Sequence, residues 1–342
     1  MKKLLPTLRL SLDMTNVLAK IEHAGIKVNL ETLNDIRNEY EHELTTIDKR
    51  LKQIVSDVMG DTPINLNSAD DRSMLFYSRK INNKETWTRI FNIGHEMRGA
   101  TRKIKMRKKM SKELFARTIR NNTEVIKKTT GYQCGTCEGV GRVRFKLKNG
   151  QLGKANRLCK NCNATGVVYS QSKQVAGLRI VPRNTKDVAQ AGFKTDKTTL
   201  EEMLPALSGA AKEFVELYVR YSALRTYLST FVEGMENNVD ENNFIHPEFM
   251  QCITATGRLS SRNPNFQNMP RGSTFRIRKV VESRFEGGSI IEGDYSQLEF
   301  RVAGFLANDS QIYQDVKDGV DVHAYTASVI GCDRQTAKAD TF

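Results

Sequence analysis

Long apolar segments are missing from this sequence of 342 residues. No apolar run approaches the roughly 20 residues that a membrane-spanning helix needs, so we expect no membrane partner. The basic N-terminal stretch is broken by Pro6, Arg9 and Asp13, and we therefore predict no signal peptide and a cytoplasmic location. A hydrophobic content of 39% and a charged content of 27% are typical of a soluble protein. The length allows two or three domains.

Cysteines are few, and their spacing does not indicate a disulfide framework. Cys252 and Cys332 stand alone, whereas the other four form two C-x2-C pairs, Cys134 with Cys137 and Cys159 with Cys162. Two such pairs without an export signal predict a structural zinc ribbon over residues 134–166, with all four tetrahedral positions filled by thiolates. The alternatives are a redox-active pair and a chaperone, since the CxxCxGxG pattern resembles the cysteine-rich region of DnaJ-type proteins. The chain has no J-domain motif.

Acidic residues are outnumbered, with 39 Asp and Glu against 53 Lys and Arg, which gives a net charge of +14. This balance favours a polyanionic partner, above all nucleic acid. From Arg98 to Gly131, twelve Lys and Arg stand against two Glu. Such a run binds phosphates without regard to sequence and in a salt-sensitive way, or it is simply a solvated face.

Two long apolar stripes are separated by a large intervening segment. The first follows Asn29 and contains Leu33, Ile36, Tyr40, Leu44, Ile47, Leu51 and Ile54; the second contains Phe214, Leu217, Tyr221, Leu224, Leu228 and Phe231. Steps of three and four residues predict helices that each pack on a partner. We therefore predict an antiparallel helix pair that carries an insertion. Shorter helices are expected over residues 12–25 and 65–76.

The segment at residues 253–270, ITATGRLSSRNPNFQNMP, is too polar for a core element. Its Arg and amide groups suit the DNA minor groove, where all base pairs offer acceptors in equivalent places. Such contacts test the shape of a base pair without reading its sequence, as a template-copying enzyme must. A polar surface loop is the alternative. Farther along the chain, Arg276 and Arg278 alternate with Ile277 on an expected strand.

The carboxylate Asp294 lies within the largely apolar stretch of residues 290–306. We predict that it lies where a buried strand meets a helix, since Leu298, Val302 and Phe305 recur at helical spacing. A charge in an apolar surround is costly unless a cation compensates it, so the position predicts a metal ligand. Near the end of the chain, Arg, Lys and Phe at i, i+4 and i+8 share one helix face. That face suits a triphosphate, although most such pairs are solvated.

Together these segments resemble the family A, DNA polymerase I-like, DNA polymerases, and the phage type in particular. TATGRLSSxxPNxQN, the motif A pattern DYSQxExR, DxHxxTAS and the motif B start RxxxKxxxF occur in the family's order. The resemblance implies an α+β, partial right-hand polymerase fold. It would have a long antiparallel thumb helix pair, a zinc-ribbon insertion and part of an antiparallel palm sheet. The implied divisions are residues 1–94 (palm entry and first thumb helices), 95–187 (basic insertion), 188–240 (returning thumb helix), 241–312 (palm with motif A) and 313–342 (start of the fingers).

The resemblance also implies roles for individual residues. Asp294, with the carbonyl of Tyr295, would hold Mg²⁺ in a two-metal site for nucleotidyl transfer, and Glu299 would exclude ribose. The residues expected to bind the dNTP are Gln297, His323, Arg334, Lys338 and Phe342. Those expected to hold primer-template DNA are Arg258, Ser260, Asn265, Gln267, Asn268, Arg276 and Arg278.

Some parts of the family pattern are not found in this sequence. The second metal-binding carboxylate belongs to a later His-Asp-Glu block, and the Tyr-Gly end of motif B is also missing, as is an exonuclease domain before the thumb. We therefore expect a fragment that is inactive alone: either a split polymerase completed by a separately encoded C-terminal piece, or the product of an interrupted gene. An accessory factor is expected at the thumb insertion. The alternative is a non-catalytic, zinc-containing DNA-binding accessory protein, which would not need Asp294.

Overall fold

The computed structural model describes residues 5–93, 110–146, 152–270, 274–334 and 336–337. The chain forms two compact units, Met1–Glu282 and Ser283–Phe342, and each is described by itself. The helices are α1 Leu5–Ala24, α2 Leu30–Met59, α3 Ala69–Tyr77, α4 Lys84–Phe91, α5 Lys112–Asn122, α6 Lys197–Met203, α7 Gly209–Tyr227, α8 Glu233–Glu236, α9 Leu298–Ala307, α10 Ser310–Lys317 and α11 Val322–Ile330.

The strands are short, and in the described ranges each pairs antiparallel with one partner. They are β1 Ile26–Lys27, β2 Arg79–Ile81, β3 Thr123–Val125, β4 Lys127–Gln133, β5 Arg142–Lys146, β6 Leu152–Leu158, β7 Val167–Val175, β8 Val188–Ala189, β9 Gly192–Phe193, β10 Phe244–Ile245, β11 Glu248–Met250 and β12 Ser260–Arg262. The pairs are β1–β10, β2–β3, β4–β7, β5–β6, β8–β9 and β11–β12. The mixed helix and strand content and the antiparallel pairing agree with the fold class expected from the sequence.

The two apolar stripes form helices α2 and α7, which pack against each other in the first unit. The Asn29 side chain caps α2 by accepting a hydrogen bond from the Thr32 N–H at 2.8 Å. Six of the seven stripe residues on α2 are buried, and Leu44 is partly buried. On the partner, Phe214 and Leu224 are fully buried, and a turn of π-helix at Leu228–Val232 continues the stripe beyond α7. Burial of these facing stripes is therefore the main force that holds the pair together.

Three Arg–Glu pairs show that the two helices run antiparallel. Arg50 contacts Glu213 at 2.6 Å, and Arg220 contacts Glu43 at 2.6 Å. Arg37 donates to Glu236, beyond the end of α7, at 2.8 Å. Going from Arg50 to Glu43 to Arg37 along α2, the paired residue moves from Glu213 to Arg220 to Glu236. The two helices therefore run in opposite directions. Solvent-exposed ion pairs contribute about 0.2–1 kcal/mol each, so these fix the register more than the stability.

The chain between the two helices leaves the helix pair where α2 ends. Asp61 donates its N–H to the Thr129 carbonyl at 3.0 Å, and the Gly131 N–H donates to the Asp61 carboxylate at 2.8 Å. Strand β4 is thus anchored at the end of α2. Gly60 makes this approach possible: its φ is +70°, and a Cβ there would lie 2.4 Å from the Thr129 oxygen. No L-residue with a side chain fits that position without a shift of the backbone.

We expect Gly60→Ala to lower the free energy of unfolding of the first unit by about 1–3 kcal/mol. The alanine would be strained by its positive φ and by its contact with a backbone oxygen, which cannot rotate away. Urea denaturation followed by the fluorescence of Trp87 measures this, because it is the single tryptophan and is fully buried. Gly135→Ala is the control, since a Cβ there meets nothing within 4 Å. Equal midpoints for the two variants would contradict the prediction.

The strand expected at Arg276–Arg278 is wrong, because Arg276–Val280 forms a 3₁₀ helix. Ile277 and Val280 are both fully buried, and residues three apart share one face of a 3₁₀ helix but not of a strand. The preceding Phe275 stacks on Tyr227 with ring centroids 4.1 Å apart and meets Tyr40 edge-on at 5.8 Å. This segment is therefore fixed by packing against the helix pair.

The second unit contains α9, α10 and α11. Gly304 of α9 lies against Ile312 of α10, where a Cβ would come within 2.3 Å of a methyl group. The buried strand expected before Asp294 is wrong for this unit: no regular structure precedes residue 298, and Ile291 is 94% exposed. In the described part of the unit no strand is available to pair with these residues, so no sheet buries them.

None of the described helices combines the length and apolar composition needed to cross a membrane.

Candidate functional sites

The four paired cysteines come together in one buried cluster. The Sγ atoms of Cys134 and Cys159 lie 3.8 Å apart, and those of Cys137 and Cys162 lie 3.6 Å apart. All four Sγ atoms lie within 4.8 Å of one another, and all four cysteines are buried. These distances are far longer than the disulfide bond length of about 2.05 Å. They match the edges of a tetrahedron whose corners lie about 2.3 Å from a central zinc ion. The cluster therefore has the geometry of a Cys₄ metal site.

Backbone and side-chain donors already point at these sulfur atoms. The Gly141 N–H donates to the Cys137 sulfur, and the Gly166 N–H to the Cys162 sulfur, each at 3.2 Å. The Asn161 amide lies 3.5 Å from the sulfur of Cys134. Donors of this kind stabilise thiolates, which is the form that binds metal. The two knuckles also interlock, because a Cβ at Gly141 would lie 2.2 Å from the Ala164 oxygen.

The surroundings shift the pKa values of the Cys137 and Cys134 thiols in opposite directions. Burial raises the pKa of the Cys137 thiol to about 11. At Cys134 burial acts in the same direction, but the N–H groups of Cys137 and Thr136 and the Asn161 amide outweigh it and lower the pKa to about 6. Cys134 is therefore the more acidic of these two thiols. A divalent cation would stabilise the thiolate form of all four.

The polar segment after β11 forms a turn that is held by its own side chains. Asn265 caps the 3₁₀ helix Phe266–Asn268, and its Oδ1 accepts from the N–H groups of Gln267 at 3.1 Å and Asn268 at 3.2 Å. The buried Ser261 hydroxyl donates to the same oxygen at 3.1 Å. The amides of Gln267 and Asn268 remain exposed. Asn265 therefore positions the turn, while Gln267 and Asn268 present its amides to solvent.

We expect Asn265→Ala to disorder this turn and to cost about 1 kcal/mol, the usual cost of losing a cap. Hydrogen exchange of the Asn268 amide should become at least about fivefold faster, because it loses its acceptor, whereas the Gln267 amide keeps the Ser261 hydroxyl at 3.3 Å and should change less. Gln267→Ala, which removes only an exposed side chain, is the control and should leave the exchange at Asn268 unchanged. Equal exchange in the two variants would show that Asn265 does not hold the turn.

The arginines expected to contact DNA have partners within the first unit. Arg278 donates to the carbonyls of Pro270 at 3.1 Å and Met269 at 3.3 Å, and so holds the end of the amide-bearing segment. Arg276 forms an ion pair with Glu39 of α2. Ser260 lies on β12, opposite Met250 of β11, and the Arg258 carbonyl accepts from the Thr254 hydroxyl at 2.7 Å. The segment is thus preorganised, and the guanidinium of Arg276 or Arg278 would exchange its contact for phosphate on reaching DNA.

Asp294 lies in the second unit, in the extended segment before α9. Its carboxylate is exposed, and it has no ion-pair partner among the residues the structure describes. Tyr295 is 79% exposed. Gln297, at the start of α9, has a φ of +52° and donates from its amide to the Val320 carbonyl at 3.3 Å. Glu299 lies in the first turn of α9. The turn thus places the exposed carboxylate of Asp294 just before a helix.

One aspartate holds together the part of the second unit expected to bind a triphosphate. The Asp321 carboxylate caps α11 by accepting from the His323 and Ala324 N–H groups, each at 3.1 Å. It also accepts from the Arg334 guanidinium at 2.7 Å. Arg334, and after it the Ala324 N–H, hold the pKa of Asp321 below its usual range. His323 is buried. Lys338 and Phe342 lie outside the described residues, as does the stretch 98–109 of the basic run.

Sequence reasoning missed the residues that support others. Ser261 and Asp321 position Asn265, His323 and Arg334, and Asn161 contacts a cysteine sulfur. The signal for Asp321 was present, because an aspartate just before a helical run is a capping residue. Ser261 gives no such signal, since its burial depends on the pairing of β11 with β12. Among the described residues, the Cys₄ cluster is the only group of three or more potential metal ligands, so none surrounds Asp294.

Comparison with known proteins shows which class of enzyme this arrangement belongs to. The polymerase domain of Pol1 from M. smegmatis, solved in complex with DNA primer-template and dNTP, has a similar fold, with a TM-score of 0.50 and 20% identity. That match covers 96% of this chain and 41% of the other. The profile of DNA polymerase family A matches residues 166–341, just over half of the sequence. This chain belongs to DNA polymerase family A.

Named relatives agree with this assignment. The DNA polymerase I of Treponema pallidum is 36% identical over 141 residues, which cover 41% of this chain and 14% of that protein. The thermostable DNA polymerase I of Thermus filiformis is 37% identical over 142 residues, covering 40% and 17% respectively. The chain thus matches less than a fifth of either relative. The family profile begins at residue 166 and therefore includes neither α2 nor either cysteine pair. The assignment of residues 1–94 to the palm entry and first thumb helices stays a prediction.

Proposed function

We propose that this chain forms part of a DNA-templated DNA polymerase that transfers dNTPs to a primer 3′-hydroxyl during replication. The family match carries the proposal, because it spans both the amide-bearing turn and the segment of Asp294. The helix pair α2–α7 would be the thumb, residues 241–312 would contribute to the palm, and α10 and α11 would open the fingers. The location would be cytoplasmic, in the host cytoplasm for a phage protein.

Asp294 is the residue best suited to hold magnesium in this chain. An exposed carboxylate with no cation beside it in the described structure is available to Mg²⁺, which prefers oxygen ligands. The carbonyl of Tyr295 would be the second oxygen ligand from this segment. Bound magnesium would neutralise charge on the reacting phosphates. One carboxylate does not complete a two-metal site, so the residues described here fit only half of it.

The remaining residues would hold the reactants. Gln267 and Asn268 would follow the minor groove at the primer terminus, and Arg334 would exchange its contact with Asp321 for a phosphate of the dNTP. Glu299 would lie against the sugar and exclude ribose. In the reaction, the primer oxygen forms a bond to the α-phosphorus while the bond to the pyrophosphate oxygen breaks. Pyrophosphate leaves, and the proton of the hydroxyl passes to solvent or to a base.

We also propose that another polymerase segment, bearing the second carboxylate, packs around Asp294. The supporting observation is the apolar surface of the second unit, where Ile291 is 94% exposed, Leu306 77% and Phe305 70%. Large apolar side chains exposed to this extent favour burial against another segment. A palm strand that carries a carboxylate could pair with residues 290–294 and bury them. A separately encoded C-terminal fragment is the form in which we propose this partner.

The Cys₄ cluster is proposed to hold a structural zinc ion, for which the donors and their distances fit. Zinc would supply folding energy to the insertion rather than chemistry, because four cysteines leave no open coordination position. An accessory factor would bind at this insertion.

The experiment that tests the function is primer extension on a primed template with Mg²⁺ and dNTPs. We expect no extension by this chain alone, and extension when a C-terminal polymerase segment with the His-Asp-Glu block is added. Robust synthesis by the chain alone would overturn the shared metal site. If primer-template binding were present but no partner segment restored extension, the non-catalytic DNA-binding alternative would be favoured instead.

A further inference from the structure

The segment that carries the Cys₄ cluster, residues 127–175, is unusually basic. It contains ten Lys and Arg against a single acidic residue, Glu138, which is a net charge of +9 in 49 residues. The whole chain has a net charge of +14. We call this segment the cysteine module. With one carboxylate against ten cations, the module cannot neutralise most of its positive charge internally.

The register of the β5–β6 hairpin sorts its side chains onto two faces. Val143 packs against the Cys₄ cluster. Successive residues of a strand point to opposite faces, so Arg142 and Arg144 lie on the face away from the cluster. Opposite them in the register are Leu158 and Asn156. Both arginines are exposed, and neither has a hydrogen-bond or ion-pair partner in the described structure.

This outer face combines cations with apolar and amide groups. Leu158, directly across from Arg142, is 62% exposed. Val140 is 73% exposed and Tyr132 is 58% exposed on other parts of the module. Duplex DNA offers mainly phosphates to such a surface, whereas a single strand offers unstacked bases as well. The chemistry therefore suits a single strand better than a duplex.

We propose that the outer face of the β5–β6 hairpin binds single-stranded DNA, with Arg142 and Arg144 on phosphates and Leu158 against a base. The inference deepens the proposed function, because the single-stranded template is the strand a polymerase must approach. The module is anchored through Gly60 and Asp61 at the end of α2. It can therefore bind DNA independently of the turn that contains Asn265. The ordinary alternative is a solvated basic surface, which would show no such residue dependence.

The test is equilibrium binding of the full chain to fluorescent oligo(dT) in 0.05–0.3 M salt, without dNTPs or Mg²⁺. The affinity for a single strand falls with salt, and log K against log salt has a slope of about −0.7 for each phosphate that a cation neutralises. Each lost phosphate contact therefore reduces the magnitude of this slope by about 0.7. For Arg142→Ala/Arg144→Ala we expect the magnitude of the slope to decrease by about 1.4 and binding to be about 25-fold weaker at 0.1 M salt. Arg142→Lys/Arg144→Lys should bind within about threefold of the wild type, since lysine retains the charge.

The matched control is Arg9→Ala/Lys20→Ala, which removes two exposed cations from α1 and should change binding less than about twofold. An equal weakening of binding in the two double alanine variants would overturn the site, since net charge alone would then explain it. Binding to a duplex or to polyglutamate as tight as binding to oligo(dT) would overturn the single-strand assignment. The oligo(dT) test measures binding and no catalysis. A negative result in it would therefore not contradict the proposed polymerase function, and a negative primer-extension result would not contradict the proposed single-strand site.

Discussion

Replacing Asp294 by alanine is expected to abolish primer extension by the chain supplemented with a polymerase segment that carries the His-Asp-Glu block, with a loss of at least about 10³-fold. A metal ligand at a phosphoryl-transfer site contributes several kcal/mol to the transition state, and each 1.36 kcal/mol is a factor of ten. Asp294 is exposed and outside any described ion pair. Its removal should therefore cost activity without costing folding.

The readouts for Asp294→Ala must separate catalysis from binding. Extension is measured by single-nucleotide incorporation, and primer-template affinity is measured in parallel without Mg²⁺. We expect the affinity to stay within about twofold, because removing a carboxylate takes away repulsion from DNA and no contact. Glu286→Ala, which removes another exposed carboxylate of the second unit, should retain activity. If both variants were equally active, Asp294 would not be a metal ligand.

The sequence predicted the helix pair because the information is local and repeated. Leu33 through Ile54 keep one face over six turns, and the burial of that face follows from the spacing alone. The Cys₄ cluster was predictable for a similar reason, since two short knuckles each bring two sulfurs together whatever the rest of the fold does. In both cases a few residues determine the geometry.

The failures concern residues whose structure depends on distant parts of the chain. Ile277 lies between two arginines, which is an alternating pattern typical of a strand. The preceding Phe275 packs against Tyr40 and Tyr227, and the segment forms a 3₁₀ helix instead. The apolar residues before Asp294 have the composition of a buried strand, but a strand needs a partner that supplies hydrogen bonds. Composition predicts the preference of a segment, and the available partners decide its structure.

Loss of one cysteine ligand is expected to abolish metal binding and to unfold the cysteine module while the helix pair stays folded. The reason lies in the size of the module's core, which among the described residues consists of the four cysteines with Val143 and Val168 packed against them. So small an apolar core does not stabilise a domain of about 50 residues without a metal or a covalent cross-link. Structural zinc contributes about 10–16 kcal/mol in comparable peptides, so the metal must supply most of the stability.

The variant for this test is Cys159→Ser, with Cys252→Ser as its control, because Cys252 is exposed and lies outside the cluster. We expect one zinc per chain in the wild type and the control, and at least about 100-fold weaker zinc binding in Cys159→Ser. Limited proteolysis should then cleave within residues 127–175, whereas the fluorescence of Trp87 in the separate core should not change. A module that resisted proteolysis after zinc was removed would show that its strand pairs, and not a metal, hold it together.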